Sequence, residues 1–323
     1  MSQRAEELCK LYPSTPSLML ARMLYAEAPH AFRDVEQART RIRYYRGSQG
    51  DALRSRKTVD WKLGGPVACP PSATEPWTPV DLDWPARVLS LSDVHIPYHD
   101  QNALEAAVAW GRKWKPDTIL LNGDWADFYA ASHWDRDPRR RFVVDEIGPI
   151  VESLRWLRSK FRKQRIIYKL GNHEDRLDRY VRDKSPELWG LEGLQIHNVL
   201  KFEDLGIERV NDEPVMLGKL PALHGHELPR GLSNPVSAAR GAFLRTFHSV
   251  LIAHHHQTGT YIPANMFGEE IATYSQGCIC DLHPKFSRFP KWNWGFAAID
   301  IAKDGNYDLS NLRISDRWEV RTA

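Results

Sequence analysis

The sequence lacks several features that are typical of membrane proteins, of secreted proteins and of proteins that bind a strongly acidic partner. It has 4 cysteines in 323 residues, too few for disulfides to organise a chain of this length. No apolar run approaches the roughly 20 residues that cross a bilayer, and the polar residues 1–7 lack the apolar core of a secretion signal. The formal net charge is only +3, so any attraction to an acidic partner must be local. We expect a cytoplasmic protein without a membrane partner.

Residues 1–62 predict a small helical domain. Pro16 precedes a stretch of helix formers, Ser17–Glu27, and Asp34 is placed to cap a second helix, Val35–Tyr45. One face of this second helix is basic and carries Arg39, Arg43 and Arg46. A helix-turn-helix-like module that contacts nucleic-acid phosphates fits the pattern. An arm that packs on a neighbouring domain, with solvated arginines, fits it as well, and both interpretations stay open.

Proline-rich sequence separates these helices from the rest of the chain. Residues 63–86 contain Gly-Gly-Pro, Cys-Pro-Pro and Glu-Pro-Trp-Thr-Pro, which favour an extended linker over a helix or a strand. From residue 87 to residue 323, short apolar strands alternate with helices, as in a sheet that is built from β-α-β crossovers and covered on both faces. The second half of this region is richer in β-like stretches and predicts a further strand–helix–strand layer packed on the first.

Polar side chains follow five of the predicted strands. In α/β sheets, ligands bind beyond the carboxyl ends of the strands, so residues that follow different strands can meet there. The residues with metal-ligating side chains at these positions are Asp93, His95, Asp124, Asn172, His224, His254 and His256. Each motif taken singly occurs often by chance, but their succession after five β-like stretches is specific.

This set of side chains suits a pair of divalent metal ions. Carboxylate and imidazole ligands favour manganese, which we expect, and leave Fe, Zn or Ni open. Seven ligands would crowd one ion, whereas a bridging aspartate can serve two. Two dications and two aspartates leave a charge of about +2 for a phosphate and a hydroxide. Because paired ions activate water for phosphoryl transfer, we expect a phosphoesterase that uses a metal-activated hydroxide.

The series of motifs resembles that of the calcineurin-like metallophosphoesterase family. It reads Asp93-x-His95, Gly123-Asp124-x-x-Asp127, Gly171-Asn172-His173-Glu174, His224-Gly225 and His254-x-His256. The resemblance spans residues 87–257, and the tail is similar to phage and bacterial members that are labelled DNA-repair exonuclease-like. It implies the cytosol of a bacterium or of a phage-infected host cell.

The resemblance implies an α/β fold, a four-layer αββα metallophosphoesterase sandwich over residues 87–323, beside the small N-terminal helical domain. One metal ion would be held by Asp93, His95, Asp124 and His256, and the other by Asp124, Asn172, His224 and His254. His173 would bind no metal ion but would contact the phosphate or protonate the leaving oxygen, with Asp127 orienting its ring. Glu174 begins a predicted helix, and the sequence leaves open whether it serves as a charge in the first turn or takes part in the chemistry.

Three hypotheses about function follow. The basic N-terminal helices favour a phosphodiesterase or nuclease that acts on DNA or another nucleic acid. A basic and aromatic loop after the second strand, with Arg139 and Arg140, could contact such a substrate. The alternatives are a phosphomonoesterase for a small metabolite or nucleotide, and a DNA-binding protein with an inactive relic of the fold. Phosphoprotein phosphatases of the family have an arginine where this chain has Phe128, which weakens a protein phosphatase interpretation.

Overall fold

The chain divides into two compact units, Met1–Thr74 and Glu75–Ala323. The computed structural model describes residues 1–47, 68–133, 137, 139, 142–229, 236–284 and 290–322. Arg140, the first residues of the predicted linker (63–67) and the end of the predicted helical domain (48–62) lie outside the described residues. Each unit has a hydrophobic core of its own.

The described part of the N-terminal unit contains three α-helices, namely α1 (Ser2–Leu11), α2 (Ser17–Glu27) and α3 (Val35–Tyr45). The predicted bounds of α2 and α3 are confirmed. The Asp34 carboxylate accepts a hydrogen bond of 2.8 Å from the Gln37 amide, as a helix-capping residue does. The core of the unit consists of apolar side chains from all three helices, including Leu8, Leu24 and Ile42.

The basic residues of α3 make contacts within this unit. Arg39 and Arg43 lie 3.2 and 3.9 Å from the carboxylate of Glu36 on the same helix. Arg46 reaches the connection between α1 and α2, where it donates to the backbone oxygens of Tyr12 and Pro13. Arg46 therefore holds the helices together, and nucleic-acid contact by any of the three arginines stays a prediction.

The end of the predicted linker belongs to the second unit. Residues 68–79 are exposed and form neither helix nor strand. Val80–Asp81, however, forms strand β1, which pairs in parallel with β6 (Val215–Leu217). Leu82 is buried in the same core. The predicted linker extends too far because a two-residue edge strand between prolines shows no alternating pattern.

A seven-stranded sheet lies at the centre of the second unit. Its strands are β2 (Ala86–Leu91), β3 (Thr118–Asn122), β4 (Arg165–Lys169), β5 (Ile207–Val210), β11 (Gly295–Ile301), β12 (Tyr307–Ile314) and β13 (Val320–Thr322). Their order is β13-β12-β11-β2-β3-β4-β5. Strands β2 to β5 run parallel, and β11 to β13 extend the sheet with antiparallel pairs. Helices α4 (Gln101–Trp114) and α5 (Val144–Lys160) make the crossovers that parallel strands require.

A six-stranded sheet packs against the first. It adds β7 (Leu220–Ala222), β8 (Val250–Ile252), β9 (Gly259–Tyr261) and β10 (Thr273–Ser275) to β1 and β6, in the order β1-β6-β7-β8-β10-β9. The other helices of the unit are α6 (Asp175–Lys184), the short α7 (Ile196–Val199) and α8 (Phe202–Leu205), and α9 (Ala238–Thr246). Within the described part of the chain, no helix combines the length and apolar character that a membrane span needs.

Alternation along the strands produces four layers. In β2, Val88 faces the other sheet and Leu89 faces the helices, because successive side chains of a strand point to opposite faces. Val88 shares the core between the sheets with Val215, while α4 and α5 cover the far face of the seven-stranded sheet. On the other side, α9 packs Ala238 against Val250 of the six-stranded sheet. The predicted four-layer αββα sandwich is confirmed.

Candidate metal centre

The predicted ligand residues meet where strands of both sheets end. After the adjacent parallel strands β2, β3 and β4 come Asp93, His95, Asp124 and Asn172. After the parallel neighbours β7 and β8 come His224, His254 and His256. The carboxyl ends of five strands in two sheets therefore deliver carboxylates and imidazoles to one place.

Hydrogen bonds between loops fix the two aspartates. The His95 amide donates to the Asp124 carbonyl oxygen at 3.0 Å. The His173 amide donates to Asp124 Oδ1 at 2.9 Å, and the His254 amide donates to Asp93 Oδ2 at 3.1 Å. Each aspartate thus uses one carboxylate oxygen to hold a neighbouring loop and turns the other oxygen toward the imidazoles.

Five of the predicted ligands adopt a left-handed backbone conformation. The φ angle is +51° at Asp93, +55° at His95, +53° at Asp124, +64° at His254 and +57° at His256. Non-glycine residues in this region carry a strain of about 1–3 kcal/mol each and gather at functional sites. The surrounding hydrogen bonds hold this strain at the loops that aim ligand side chains inward.

Two groups of ligand atoms share Asp124. In each group, the atoms lie within 4.8 Å of one another: Asp93, His95 and Asp124 form the first, and Asp124, His224 and His254 form the second. His256 belongs beside the first group, because its Nε2 lies 3.2 Å from Asp93 Oδ1 and 3.3 Å from His95 Nε2. In the second group, His224 Nε2 lies 3.2 Å from Asp124 Oδ2.

Unpartnered buried atoms show that the centre fits metal ions. Asp93 Oδ1, Asn172 Oδ1 and His224 Nε2 are buried and form no hydrogen bond within the described part of the chain. A buried polar atom without a partner costs roughly 1–3 kcal/mol, so such atoms are rare in folded proteins. Oxygen and imidazole donors are the ligand types that divalent ions of the manganese-to-zinc series take, so these atoms suit such an ion.

The ring nitrogens that face away from the centre have partners. His224 Nδ1 lies 2.8 Å from the Asn122 carbonyl oxygen, which must accept its proton. His95 Nδ1 lies 3.0 Å from Asp127 Oδ1. Outer partners of this kind set the tautomer and leave Nε2 with a lone pair for a metal ion. The third ring, His256, has Cys280 Sγ at 3.7 Å from its Nδ1.

Burial and charge give two imidazoles of the second group opposite pKa shifts. Burial alone would lower the pKa of His224, but the negative charges of Asp124 and Asp93 raise it to about 10. The pKa of His254 falls to about 3, through burial first and then through the charge of His224. Because a ligating imidazole must be neutral, His254 already has the form that a metal ion would need, whereas His224 would have to lose a proton first.

The structure places His173 and Asp127 together beside this centre. His173 Nδ1 lies 3.0 Å from both Oδ1 and the backbone oxygen of Asp127, and His173 Nε2 lies 3.8 Å from Asp124 Oδ2. Burial would raise the pKa of Asp127, but its hydrogen bonds to His173 and His95 hold it below the usual range. Asp127 therefore orients two rings, of which the sequence pointed to one.

Glu174 is a buried loop-fastening residue, and its interpretation as a charge for the first helical turn was wrong. Helix α6 begins one residue later, and the Glu174 side chain is buried. Its carboxylate accepts hydrogen bonds from the amides of Asp124, Ala126 and Gly171 at 3.0, 3.0 and 2.8 Å, and from the Tyr168 hydroxyl at 2.7 Å. Glu174 thus joins the loops after β3 and β4.

Two further side chains fasten the His224 loop. Glu227 accepts from the amides of His224 and Gly225 at 3.1 and 2.6 Å. It also pairs with the fully buried Lys169 at 2.9 Å. Burial alone would raise the pKa of Glu227, but the positive charge of Lys169 lowers the pKa of Glu227 to about 2. Lys169 ends β4, so this ion pair connects the two sheets at the centre.

Arg176 is the residue of the centre that the sequence did not single out. It lies in the first turn of α6, and its Nη2 is 2.8 Å from His173 Nε2. Its Nη1 donates to the Asp127 carbonyl oxygen at 2.9 Å. The predicted contact Arg139 is exposed and pairs with Asp137 at 2.8 Å, a contact of the loop with itself.

Replacing Gly171 with alanine should weaken metal binding. An added Cβ would lie 2.2 Å from Asp124 Oδ1 and 2.6 Å from the Asp124 amide nitrogen, so the shared aspartate would have to move. We expect the affinity for Mn²⁺, measured by titration calorimetry, to fall at least about tenfold. Gly148→Ala is the matched control, since its Cβ inside α5 would meet no described atom within 4 Å. The control should keep its affinity and gain up to about 1 kcal/mol of stability; equal affinities in the two variants would contradict this account.

Comparisons with known proteins identify relatives of the second unit. The family model of the calcineurin-like phosphoesterases matches residues 86–295. Gene 54 protein of Mycobacterium phage L5 is 26% identical over 245 residues, which cover 68% of this chain and 90% of that protein. Gene 54 protein of Mycobacterium phage D29 is 23% identical over 244 residues, with the same shares of both chains. Among solved structures, vacuolar protein sorting 29 from Cryptosporidium parvum matches with a TM-score of 0.42 and 14% identity, covering 75% of this chain and 97% of that one.

Proposed function

The chain belongs to the calcineurin-like phosphoesterase family, and on this premise we propose that it is a metal-dependent phosphodiesterase that acts on nucleic acid. The proposal depends on one observation, namely that the carboxylate of Asp124 belongs to two groups of side chains that could each hold a metal ion. A centre of this kind is suited to phosphoesters, because two dications offset the charge that gathers on a phosphate during displacement.

The proposed assignment of ligands follows the two groups. Asp93, His95, Asp124 and His256 would hold one divalent ion, and Asp124, Asn172, His224 and His254 would hold the other. Manganese is the ion we propose first, with Fe, Zn or Ni as alternatives, since the set mixes carboxylate, amide and imidazole donors. When bound, such ions supply an activated water molecule and neutralise phosphate charge.

The protein's own part in the reaction falls to His173 and Asp127. His173 Nε2 faces the shared aspartate at 3.8 Å, while its Nδ1 is held by Asp127 at 3.0 Å. Because Asp127 accepts the Nδ1 proton, the ring keeps one orientation and presents Nε2 to the substrate. We assign to His173 the uptake of a proton from water at Nε2 and the transfer of that proton to the leaving oxygen, a role in which a positioned imidazole accelerates the reaction by about 10²–10⁴-fold.

Two features favour a diester over a monoester. A monoesterase binds a phosphate dianion in a tight cationic pocket, yet Phe128 is fully buried at the position where phosphoprotein phosphatases of this family have an arginine. The N-terminal unit carries Arg39 and Arg43 near the surface of α3, where they could contact the other phosphates of a nucleic acid. A phosphomonoesterase for a small metabolite is the second candidate. The similarity to two phage proteins supports a place in the cytosol of a bacterium or of an infected host cell.

Turnover of model substrates tests the choice between the two esters. We expect the manganese-loaded protein to hydrolyse bis(p-nitrophenyl) phosphate with a higher kcat/KM than p-nitrophenyl phosphate, because the buried Phe128 stands where phosphoprotein phosphatases of the family have an arginine for the dianion. Both substrates release the same coloured product, so one absorbance assay measures both. A clear preference for the monoester would remove the diesterase proposal and leave the monoesterase.

A further inference from the structure

Arg176 contacts both residues of the proposed proton transfer, His173 and Asp127. Its guanidinium donates to the Asp127 carbonyl oxygen at 2.9 Å, lies 3.7 Å from Asp127 Oδ2 and places Nη2 2.8 Å from His173 Nε2. The side chain is only 14% exposed. A guanidinium held this closely beside the centre is a fixed positive charge, since arginine does not lose its proton in proteins.

The contact with His173 fixes where a substrate must bind. A guanidinium donates and cannot accept, so His173 Nε2 is the acceptor of this hydrogen bond. The same nitrogen lies 3.8 Å from Asp124 Oδ2, on the side of the ring that faces the centre. His173 Nε2 therefore lies close to both Asp124 and the Arg176 guanidinium, so a phosphate that bonds to this nitrogen would lie beside Arg176.

Helix α6 carries a second arginine on the adjacent turn. Arg179 follows Arg176 by three residues, and side chains three apart are neighbours on a helix surface. Its Nη1 lies 3.4 Å from His133 Nδ1, in the loop that follows β3. Arg182, one turn further along, is about half exposed and lies 3.7 Å from Asp178 on its own helix.

We propose that Arg176 binds a non-bridging oxygen of the phosphate under attack and that Arg179 binds the neighbouring phosphate of a single-stranded nucleic acid. This rests on the proposed function and specifies its substrate. The phosphate oxygen replaces His173 Nε2 as the partner of Arg176, which frees that nitrogen to carry a proton. Arg176 on α6 would supply the positive charge that phosphoprotein phosphatases of the family place at the position of Phe128. Arg179 can bind a second phosphate only in a substrate that has more than one, such as a nucleic acid.

Binding of inorganic phosphate tests the role of Arg176. The manganese-loaded protein is titrated with phosphate in a calorimeter, with full-length Arg176→Gln, Arg179→Gln and Arg182→Gln compared with the parent. We expect Arg176→Gln to weaken binding about tenfold or more, since a charge-assisted hydrogen bond is lost, while the other two stay within about twofold. Arg176→Lys keeps the positive charge but loses the paired N–H donors of the guanidinium. Its phosphate affinity should therefore lie between those of the parent and of Arg176→Gln. Arg176→Lys also serves as the second variant if Arg176→Gln melts early.

Binding of a labelled oligothymidylate tests Arg179. Fluorescence anisotropy is measured with His173→Ala as the background, so that the strand stays intact, at several salt concentrations. Arg179→Gln in this background should weaken binding about tenfold and reduce the slope of log K against log salt by about 0.7, the value of one phosphate contact on a single strand. Arg182→Gln should change neither quantity.

Each result decides one part of the proposal. Unchanged phosphate affinity in Arg176→Gln, or no phosphate binding by the parent protein, overturns the role of Arg176. An unchanged salt slope in Arg179→Gln, or an equal loss in Arg182→Gln, overturns the role of Arg179. The proposed function fails by a different result, a preference for the phosphomonoester in turnover, so the two failures are distinguished.

Discussion

Replacing Asp124 with asparagine should remove both the second metal ion and nearly all turnover. The substitution keeps the shape of the side chain, and its Oδ1 can still accept from the His173 amide, now at 2.9 Å. It removes the negative charge that faces His224 Nε2 at 3.2 Å and His95 Nε2 at 4.0 Å. Since loss of an outer partner of a metal ligand already costs about 10–100-fold, we expect kcat/KM for a diester to fall by more than about 100-fold.

The control for this variant is another aspartate replaced in the same way. Asp300 on β11 is about half exposed and pairs with Arg87 at 3.1 Å, away from the strand ends that carry the ligands. Asp300→Asn should keep the metal content and the rate of the parent. A parent protein without metal-dependent hydrolysis, in which Asp124→Asn changes nothing, would instead support the hypothesis of a DNA-binding relic of the fold.

Replacing His173 with alanine should separate turnover from metal binding. His173 lies beside both groups of ligand atoms, yet its ring nitrogens are used by Asp127 on one side and by Arg176 on the other. Its backbone amide, which fixes Asp124 Oδ1, is retained in alanine. We expect kcat for the diester to fall by about 10²–10⁴-fold, the range for loss of a positioned general acid, with an unchanged content of manganese.

A histidine on the surface provides the comparison. His197 in α7 pairs with Glu192 at 3.1 Å and lies at no strand end of the centre. His197→Ala should therefore match the parent in rate and in metal content. Loss of manganese from His173→Ala would show that this ring holds a metal ion, against the division of roles proposed for the Gly-Asn-His-Glu loop.

The meeting of the proposed ligand residues could be predicted because each of them follows a short apolar strand. A buried strand is readable from β-branched and apolar side chains, and the carboxyl ends of neighbouring parallel strands meet. The four layers follow from the same reading, since strands such as β2 bury both faces, with Val88 toward one core and Leu89 toward the other. Helices α2 and α3 have the predicted bounds because a proline and a capping aspartate mark where they begin.

The residues that fasten the loops could not be predicted, because nothing local distinguishes them. Glu174 precedes a helix, as many surface glutamates do, and only the fold shows that its carboxylate faces three amides of two loops. Lys169 and Glu227 are far apart in the chain and meet only when the two sheets pack. Arg176 belongs to none of the motifs, and only the fold shows that this long side chain on α6 contacts His173.

The residues at which helices and strands begin and end were less predictable than the presence of these helices and strands. Helix α9 begins at Ala238, after Ser237, whose hydroxyl oxygen accepts from the Arg240 amide at 3.2 Å. The cap is a better marker than the composition of the stretch, because the hydroxyl satisfies an amide that the first turn leaves without a partner.

The metal content of the full-length protein tests the central claim most directly. The protein is saturated with Mn²⁺, freed of excess by gel filtration and analysed for manganese per chain, beside Asp124→Asn and His173→Ala. The account predicts about two ions per chain for the parent and for His173→Ala, and a clear loss in Asp124→Asn, because one carboxylate serves both ions. A parent protein that holds at most one ion at saturation, or an Asp124→Asn variant that holds as many as the parent, would contradict it.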